Sequence, residues 1–167
     1  ACGIADASVV SVNLGTSGVV FAARSEAPCD PSGGLHGYCH AIAEAWHVMG
    51  VMLSAGESLQ WFRDALGQGE GYERIIKGAA SIAPGCQGLS FLPYLSGERT
   101  PHADPNARGA FVGLCASHDR HHLARAVLEG VLLGLRDCLE LVRSDGQAVN
   151  VVRMTGGGAR SATWRQM

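Results

Sequence analysis

Residues 9–23, VVSVNLGTSGVVFAA, place two valine-rich runs around Gly15-Thr16-Ser17-Gly18, which leaves this segment few folds to choose from. β-Branched runs on either side of a glycine-bounded turn predict an antiparallel hairpin. Far along the chain, residues 149–155 form another such run. It leads into Gly156-Gly157-Gly158 and a helical pattern from about Ser161. Between these ends, helical spacing alternates with single short strands. A hairpin sheet followed by helix–strand alternation is an α/β arrangement. There is no internal repeat and no low-complexity linker.

The intervening elements are read from caps, breakers and periodicity. Residues 24–37 carry Pro28, Asp30, Pro31, Ser32, Gly33 and Gly34 and predict a loop. Residues 38–53 predict further strands, with the apolar run 46–53 buried. Ser54 followed three residues later by Glu57 has the spacing of a capping box, so a helix is expected through Leu59, Trp61, Phe62 and Leu66. A second helix fits 72–81. Residues 88–95 predict a buried strand, 96–109 a polar loop, and 111–114 a short strand. Ser117 is the expected cap of the longest helix, 118–143, where Leu123, Val127, Val131, Leu135, Cys138, Leu139 and Val142 follow helical spacing.

Composition removes several function classes. Thirteen basic against fifteen acidic residues give a net charge of −2, without the basic footprint that nucleic acid or an anionic membrane surface would require. With 47% hydrophobic and 17% charged residues there is enough apolar material for a core. The least charged stretch, 77–98, contains Pro84, Pro93 and several glycines, so it is no spanning helix. No signal-peptide pattern opens the chain. The six cysteines are scattered without a CxxC pair, which reads as reduced thiols in the cytoplasm. The chain begins without Met and stops soon after a glycine-rich turn. The expectation is a piece of a longer protein.

Three small-residue clusters are candidates for chemistry. At the hairpin tip, Gly15, Thr16 and Ser17 could direct backbone N–H groups and a hydroxyl at an anion; an ordinary hairpin turn is the plain alternative. Thr155-Gly156-Gly157-Gly158-Ala159 lies between strand and helix, where free amides and the helix dipole favour negative charge. It lacks the Gly-Lys-Ser/Thr ending of a Walker A loop and is not GxGxxG, and close strand–helix packing explains it equally well. Ser54-Ala55-Gly56 with Gln60 one turn on could let a flat group lie against a helix start, or could simply pack tightly.

Other constellations are weaker. His118, His121 and His122 at a helix start could suggest zinc, but a solvated helix face is preferred. His36, Cys39 and His40 fit one face of a sheet edge. Arg125/Glu129 and Arg136/Glu140 are i,i+4 pairs, worth about 0.2–0.5 kcal/mol each. Glu98, Arg99, Asp104 and Arg108 predict either a salt-bridged brace, which is favoured, or a cleft wall.

The order of the three clusters carries a resemblance. NLGTSGVVFAA (13–23), WHVMGVMLSAGESLQWFRD (46–64), FLPYLSGERTPHADPNARGAFVGL (91–114), HLARAVLEGVLLGLRD (122–137) and TGGGARSATWRQ (155–166) resemble the C-terminal half of FGGY-family carbohydrate kinases, most of all the bacterial xylulokinases. The stretch PYLSGERTPHADPNARGAF is the specific part. The resemblance implies an actin-like ATPase (ribonuclease-H-like) fold, with residues 1–167 as the nucleotide-binding domain and a sugar-binding domain upstream. It implies ATP and Mg²⁺ as cofactors, D-xylulose as substrate, no metal held by this chain, and a cytoplasmic enzyme, with homodimerisation left open. Another ketose or polyol, or a non-catalytic nucleotide-binding or dimerising half, are the alternatives.

The family pattern also implies residue roles. Thr16, flanked by Gly15 and Ser17, matches a threonine at the ATP phosphates. Gly56 and Gln60 match positions flanking the adenosine. Gly157 and Gly158 match the glycine pair under the nucleotide, so a side chain at Gly158 is expected to intrude on it or to force the turn open, unless Gly158 only lets the helix pack close to the strand. Ala162 stands where glycerol kinases carry an asparagine near the adenine. Alanine cannot make that hydrogen bond, and Ser161 is the candidate substitute. The catalytic aspartate, in a GGGDNAA-like segment, is expected ahead of Ala1. Asp6 lacks those neighbours and reads as a loop or helix-end residue.

Overall fold

The structure, a computed structural model, describes residues 3–30, 33–144 and 148–167. The expected hairpin forms from β1 (Val9–Leu14) and β2 (Gly18–Arg24), antiparallel with Val10 opposite Ala22 and Leu14 opposite Gly18. Side chains alternate across a strand. Val10, Val12, Leu14, Val20 and Ala22 therefore share one buried face. β3 (His36–Cys39) and β4 (Trp46–Met52) extend the sheet antiparallel beyond β2. β7 (Val151–Thr155) joins the other side parallel to β1, giving the order β3-β4-β2-β1-β7. A parallel neighbour requires a crossover, and the intervening helices provide it.

Those helices are α1 (Gly56–Ala65), α2 (Tyr72–Ala80) and α3 (Arg120–Arg143), with a short α4 (Ala162–Gln166) after β7. A two-stranded sheet of β5 (Ser90–Leu92) and β6 (Ala110–Val112) lies between α2 and α3 in sequence. The core is the layer where Val127, Val131, Leu135, Cys138 and Val142 of α3 meet the buried face of the main sheet. α3 approaches β4 very closely: a Cβ on Gly50 would lie 2.8 Å from Cys138 Cβ. Trp164 anchors α4 to this core, its ring buried and its Nε1–H donating to the Leu128 carbonyl at 3.2 Å.

Several boundaries differ from the sequence reading. Residues 46–53 are not uniformly buried. β4 has helix on one side only, so Val48, Gly50 and Met52 are buried and their neighbours half-buried. The strand expected over 88–95 shrinks to Ser90–Leu92, because Gly88 is left-handed at φ +88° and Pro93 has no N–H to donate. α3 is capped by Asp119 rather than Ser117. The Asp119 carboxylate accepts from the His121 and His122 amides at 2.9 and 3.1 Å, and the His122 ring reaches back to it at 2.7 Å. His122 is therefore buried, not part of a solvated face.

The polar loop 96–109 is braced, but not by ion pairs between its own residues. Glu98, only 2% exposed, accepts from the Leu53 and Arg99 amides at 2.9 and 2.7 Å. Thr100 exchanges hydrogen bonds with the Val51 backbone, and its hydroxyl donates to the Gly34 carbonyl. Asp104 accepts from the Asn106 amide, and Arg108 donates to the Pro105 and Ala107 carbonyls. The loop is thus fastened to the end of β4 through backbone groups. In α3 the Arg125–Glu129 pair forms at 2.6 Å, whereas Glu140 pairs with Arg143, one residue closer than i,i+4.

Candidate functional site

The hairpin tip does two jobs at once. Its carbonyls face α1: Thr16 C=O accepts from the Ala55 and Glu57 amides at 3.0 and 3.1 Å, and Gly15 C=O accepts from Gly56 at 2.8 Å. These bonds satisfy the otherwise orphaned first N–H groups of the helix. Ser54 is therefore not the cap. The helix N-cap is Ala55, while the Ser54 hydroxyl donates to the Glu57 carboxylate at 2.9 Å. The other side of the tip is open. Among the described residues the Thr16 and Ser17 amides and the Thr16 hydroxyl have no hydrogen-bond partner, and both residues are exposed.

Across from the tip, β7 ends in the glycine turn. Gly157 and Gly158 enter a single 3₁₀ turn, their carbonyls accepting from the Arg160 and Ser161 amides at 3.2 Å. The Ser161 hydroxyl oxygen then caps α4 by accepting from the Trp164 amide at 3.1 Å. Gly158 is a packing glycine. A Cβ there would lie 2.5 Å from Leu14 Cγ and 2.9 Å from the Trp164 ring, both of them buried side chains. Of the expected effects of a side chain at Gly158, the geometry shows the one that disturbs the packing of the turn. Gly157 is the opposite case, with helical φ and ψ of −63° and −43° and open space around its Cβ position.

These elements enclose a cleft of about 440 Å³. Gly15, Thr16, Gly56, Gln60, Gly157, Gly158 and Ser161 all line it. Ser17 and Ala162 do not; both are exposed nearby, Ser17 on the hairpin tip and Ala162 on the first turn of α4. Leu14, Leu59, Tyr72, Ile76 and Trp164 complete the wall. Sequence reasoning did not nominate these last five. Their apolar spacing signalled core, and only the fold turns part of that face outward. No charged side chain lines the cleft among the described residues.

A second cavity, about 640 Å³, lies on the sheet face away from α3 and is lined by Ile4, Ser11, Asn13, Phe21, His40 and His47 among others. Here His40 accepts from the Ile42 amide through Nδ1 and contacts the Ile4 carbonyl through Nε2, so its ring is structural. His47 stacks on Phe21, and burial, with His40 nearby, depresses its pKa. His118 is also occupied, its Nδ1 accepting from the Cys115 amide at 3.1 Å. No group of three or more His, Cys, Asp or Glu side chains able to hold a metal occurs among the described residues. Cys29, Cys39, Cys86, Cys115 and Cys138 are free thiols. Among the described residues no helix is long and apolar enough to cross a membrane.

The mixed sheet, the helices laid on it and the cleft between hairpin tip and glycine turn define a domain of the actin-like ATPase fold as it occurs in sugar kinases. Residues 10–167 match the C-terminal domain of the FGGY family of carbohydrate kinases, and the chain belongs to that family. It is 44% identical to the xylulose kinase of Escherichia coli over 165 residues, covering 99% of this chain and 34% of that protein. A ligand-bound xylulose kinase from Lactobacillus acidophilus superposes with a TM-score of 0.93 at 32% identity, over 99% of this chain and 34% of the other. The gluconate kinase from the same organism superposes at 0.92, also with 32% identity and the same coverage. The chain spans about a third of the length of the relatives it matches.

Proposed function

We propose that residues 1–167 form the nucleotide-binding domain of an ATP-dependent sugar kinase that transfers phosphate to D-xylulose. The observation that carries the reading is the convergence of Thr16, Gly56, Gln60, Gly157 and Ser161, far apart in sequence, on one cleft. In this reading the triphosphate lies at the hairpin tip, where the Thr16 and Ser17 amides and the Thr16 hydroxyl donate to its oxygens. Donors fixed where charge develops stabilise a phosphoryl-transfer transition state. They need no rearrangement here, because the tip is held from behind by its bonds to α1. The nucleoside extends along α1 toward Gln60 and the glycine turn.

The base is proposed to come from outside this cleft. Asp6 is exposed, and its bond from the Ser8 amide lowers its pKa, as suits a turn residue and not a proton acceptor. The aspartate that accepts the sugar proton is proposed to lie outside these residues. Among the described residues no carboxylate lines the cleft wall. Mg²⁺ is proposed only as the ion that accompanies ATP. The parent enzyme is proposed to be cytoplasmic, as its reduced thiols suggest, with dimerisation open.

Gluconate is a second reading of the acceptor, favoured by the equal structural likeness to a gluconate kinase. A coupled ADP-release assay of the intact protein with D-xylulose, D-gluconate, glycerol and D-ribulose decides between them. Turnover with D-xylulose well above the others supports the proposal; preference for gluconate replaces the acceptor, and no turnover with any rejects the kinase.

A further inference from the structure

Asn13 is the one exposed residue of β1, set between buried Val12 and Leu14. β1 is an interior strand, flanked by β2 and β7. Asparagine is depleted in such strands, where β-branched side chains fit the pleat better, and a local rule broken in this way marks a candidate for function. Side chains alternate along the strand. Leu14 lines the cleft, and Asn13 faces the other side of the sheet, away from α3. Its register partners are Val19 on β2 and Thr155 on β7, so it stands below the hairpin tip and beside the start of the glycine turn. Both loops lack a side chain where its carboxamide sits: a Cβ on Gly156 would lie 2.5 Å from Asn13 Oδ1, and one on Gly15 3.4 Å from it. Among the described residues the carboxamide has no hydrogen-bond partner. Its oxygen and its N–H₂ donors are placed where the two loops meet, and the fold does not use them.

We propose that Asn13 is a further catalytic residue of the kinase, its Nδ2–H₂ group donating to the terminal phosphoryl group of ATP. With the nucleoside on the Leu14 side of β1, the triphosphate must pass over the hairpin tip to reach the Asn13 side. The phosphate farthest from the nucleoside is therefore the one that meets the carboxamide. The amide oxygen is the end near Gly156, which leaves the N–H₂ end for anionic oxygens. In the transfer, the bond from the terminal phosphorus to the bridging oxygen breaks as the sugar hydroxyl oxygen bonds to that phosphorus. ADP leaves with the electron pair, and the hydroxyl proton goes to the base proposed to lie outside these residues. Asn13 neither gives nor takes a proton. It adds a neutral donor to those of Thr16 and Ser17, on the other side of the group whose charge redistributes. This inference rests on the nucleotide reading of the cleft.

The test is calorimetric titration of the intact protein with ADP and, separately, AMP-PNP, beside steady-state kinetics with ATP and thermal melts of each variant. Asn13→Asp keeps the shape and the oxygen near Gly156 but replaces the donors by a charged acceptor. It is expected to weaken AMP-PNP by at least about tenfold, the scale of one hydrogen bond to a charged group, and to leave ADP unchanged. Its kcat/KM for ATP should fall by about 10²–10³. Asn13→Ala, which adds no charge, should show the same selective loss of AMP-PNP. A folded Asn13→Ala protein with parental AMP-PNP affinity and kcat/KM overturns the proposal. So does equal weakening of ADP and AMP-PNP. A normal Asn13→Asp protein beside an impaired Asn13→Ala protein also overturns it, because that is the pattern of a spacer between the loops. In all three cases the kinase reading stands. A parent protein that binds neither ADP nor AMP-PNP removes the nucleotide reading itself and this proposal with it.

Discussion

Gly157 and Gly158 are adjacent, yet their missing side chains face different things, and this separates binding from folding. Gly158→Ala would push a methyl into Leu14 and Trp164. Overpacking of this kind costs about 1–3 kcal/mol. A clear fall in melting temperature is expected, with nucleotide affinity kept in the protein that remains folded. Gly157→Val places its bulk in open space at the cleft wall, from a backbone conformation that any L-residue adopts. Here the melt should be nearly preserved and the affinity for AMP-PNP should fall. If Gly157→Val leaves affinity intact, the glycine turn is only a packing device. Thr16→Val is the matching test at the hairpin tip. It keeps the β-branched shape and removes the hydroxyl, and kcat/KM for ATP should drop by about 10²–10³, as for one preorganised donor. Unchanged kcat/KM would make Thr16 a turn residue.

At the scale of elements, caps and braces are where local sequence and tertiary structure part company. Asp119→Ala should cost about 1 kcal/mol, the usual worth of an N-cap carboxylate, whereas Ser117→Ala should be close to neutral. Chemical denaturation of the two variants measures this, and the reverse ranking would restore Ser117 as the cap. The loop brace gives a pH prediction. Burial pushes the Glu98 carboxyl above the ordinary 4.5, against the pull of the Leu53 and Arg99 amides and nearby His102. The folded protein then holds this proton to higher pH than the unfolded chain. Glu98 therefore favours folding as pH falls through the interval from the raised value to 4.5, and disfavours it as pH climbs back. Glu98→Gln keeps an acceptor and removes the charge. Thermal melts should show it at least as stable as the parent at neutral pH, with the gap narrowing toward pH 4.5; a gap that widens instead would mean the charge is stabilising. The same contrast explains what could be read in advance. Strand alternation, helix periodicity and the glycine turns are local, and the hairpin, α2, α3 and β7 follow from them. The α1 cap is not local: its acceptors are the carbonyls of Gly15 and Thr16, some forty residues earlier. Nor is the Glu98 anchor, whose main partner is the Leu53 amide. The site was legible where small residues mark a turn. It was not legible at Tyr72 and Ile76, whose helical spacing looks the same whether a residue faces core or cleft.

The molecule as a whole has a cleft between hairpin tip, α1, α2 and glycine turn, and an apolar cavity of about 640 Å³ on the sheet face away from α3. Positioning donors and reacting groups are therefore unequally represented. Binding of a phosphate chain needs only fixed N–H and O–H donors, which the hairpin tip presents. Transfer to a sugar hydroxyl also needs a group to take its proton, and no carboxylate or imidazole lines the cleft among the described residues. Asp6 is exposed, and its lowered pKa makes it a weaker proton acceptor than an ordinary carboxylate. Residues 1–167 produced as a separate polypeptide, once circular dichroism and a cooperative melt show it folded, should bind AMP-PNP but release no ADP when given D-xylulose, ATP and Mg²⁺. The two measurements fail differently. Turnover at about 1–10³ s⁻¹, the ordinary enzyme range, would place the base within this chain and make Asp6 the residue to replace first. A folded chain without affinity for AMP-PNP would mean that the cleft needs surfaces outside these residues even to bind. In that case the free donors at Thr16 and Ser17 would be half of a shared site.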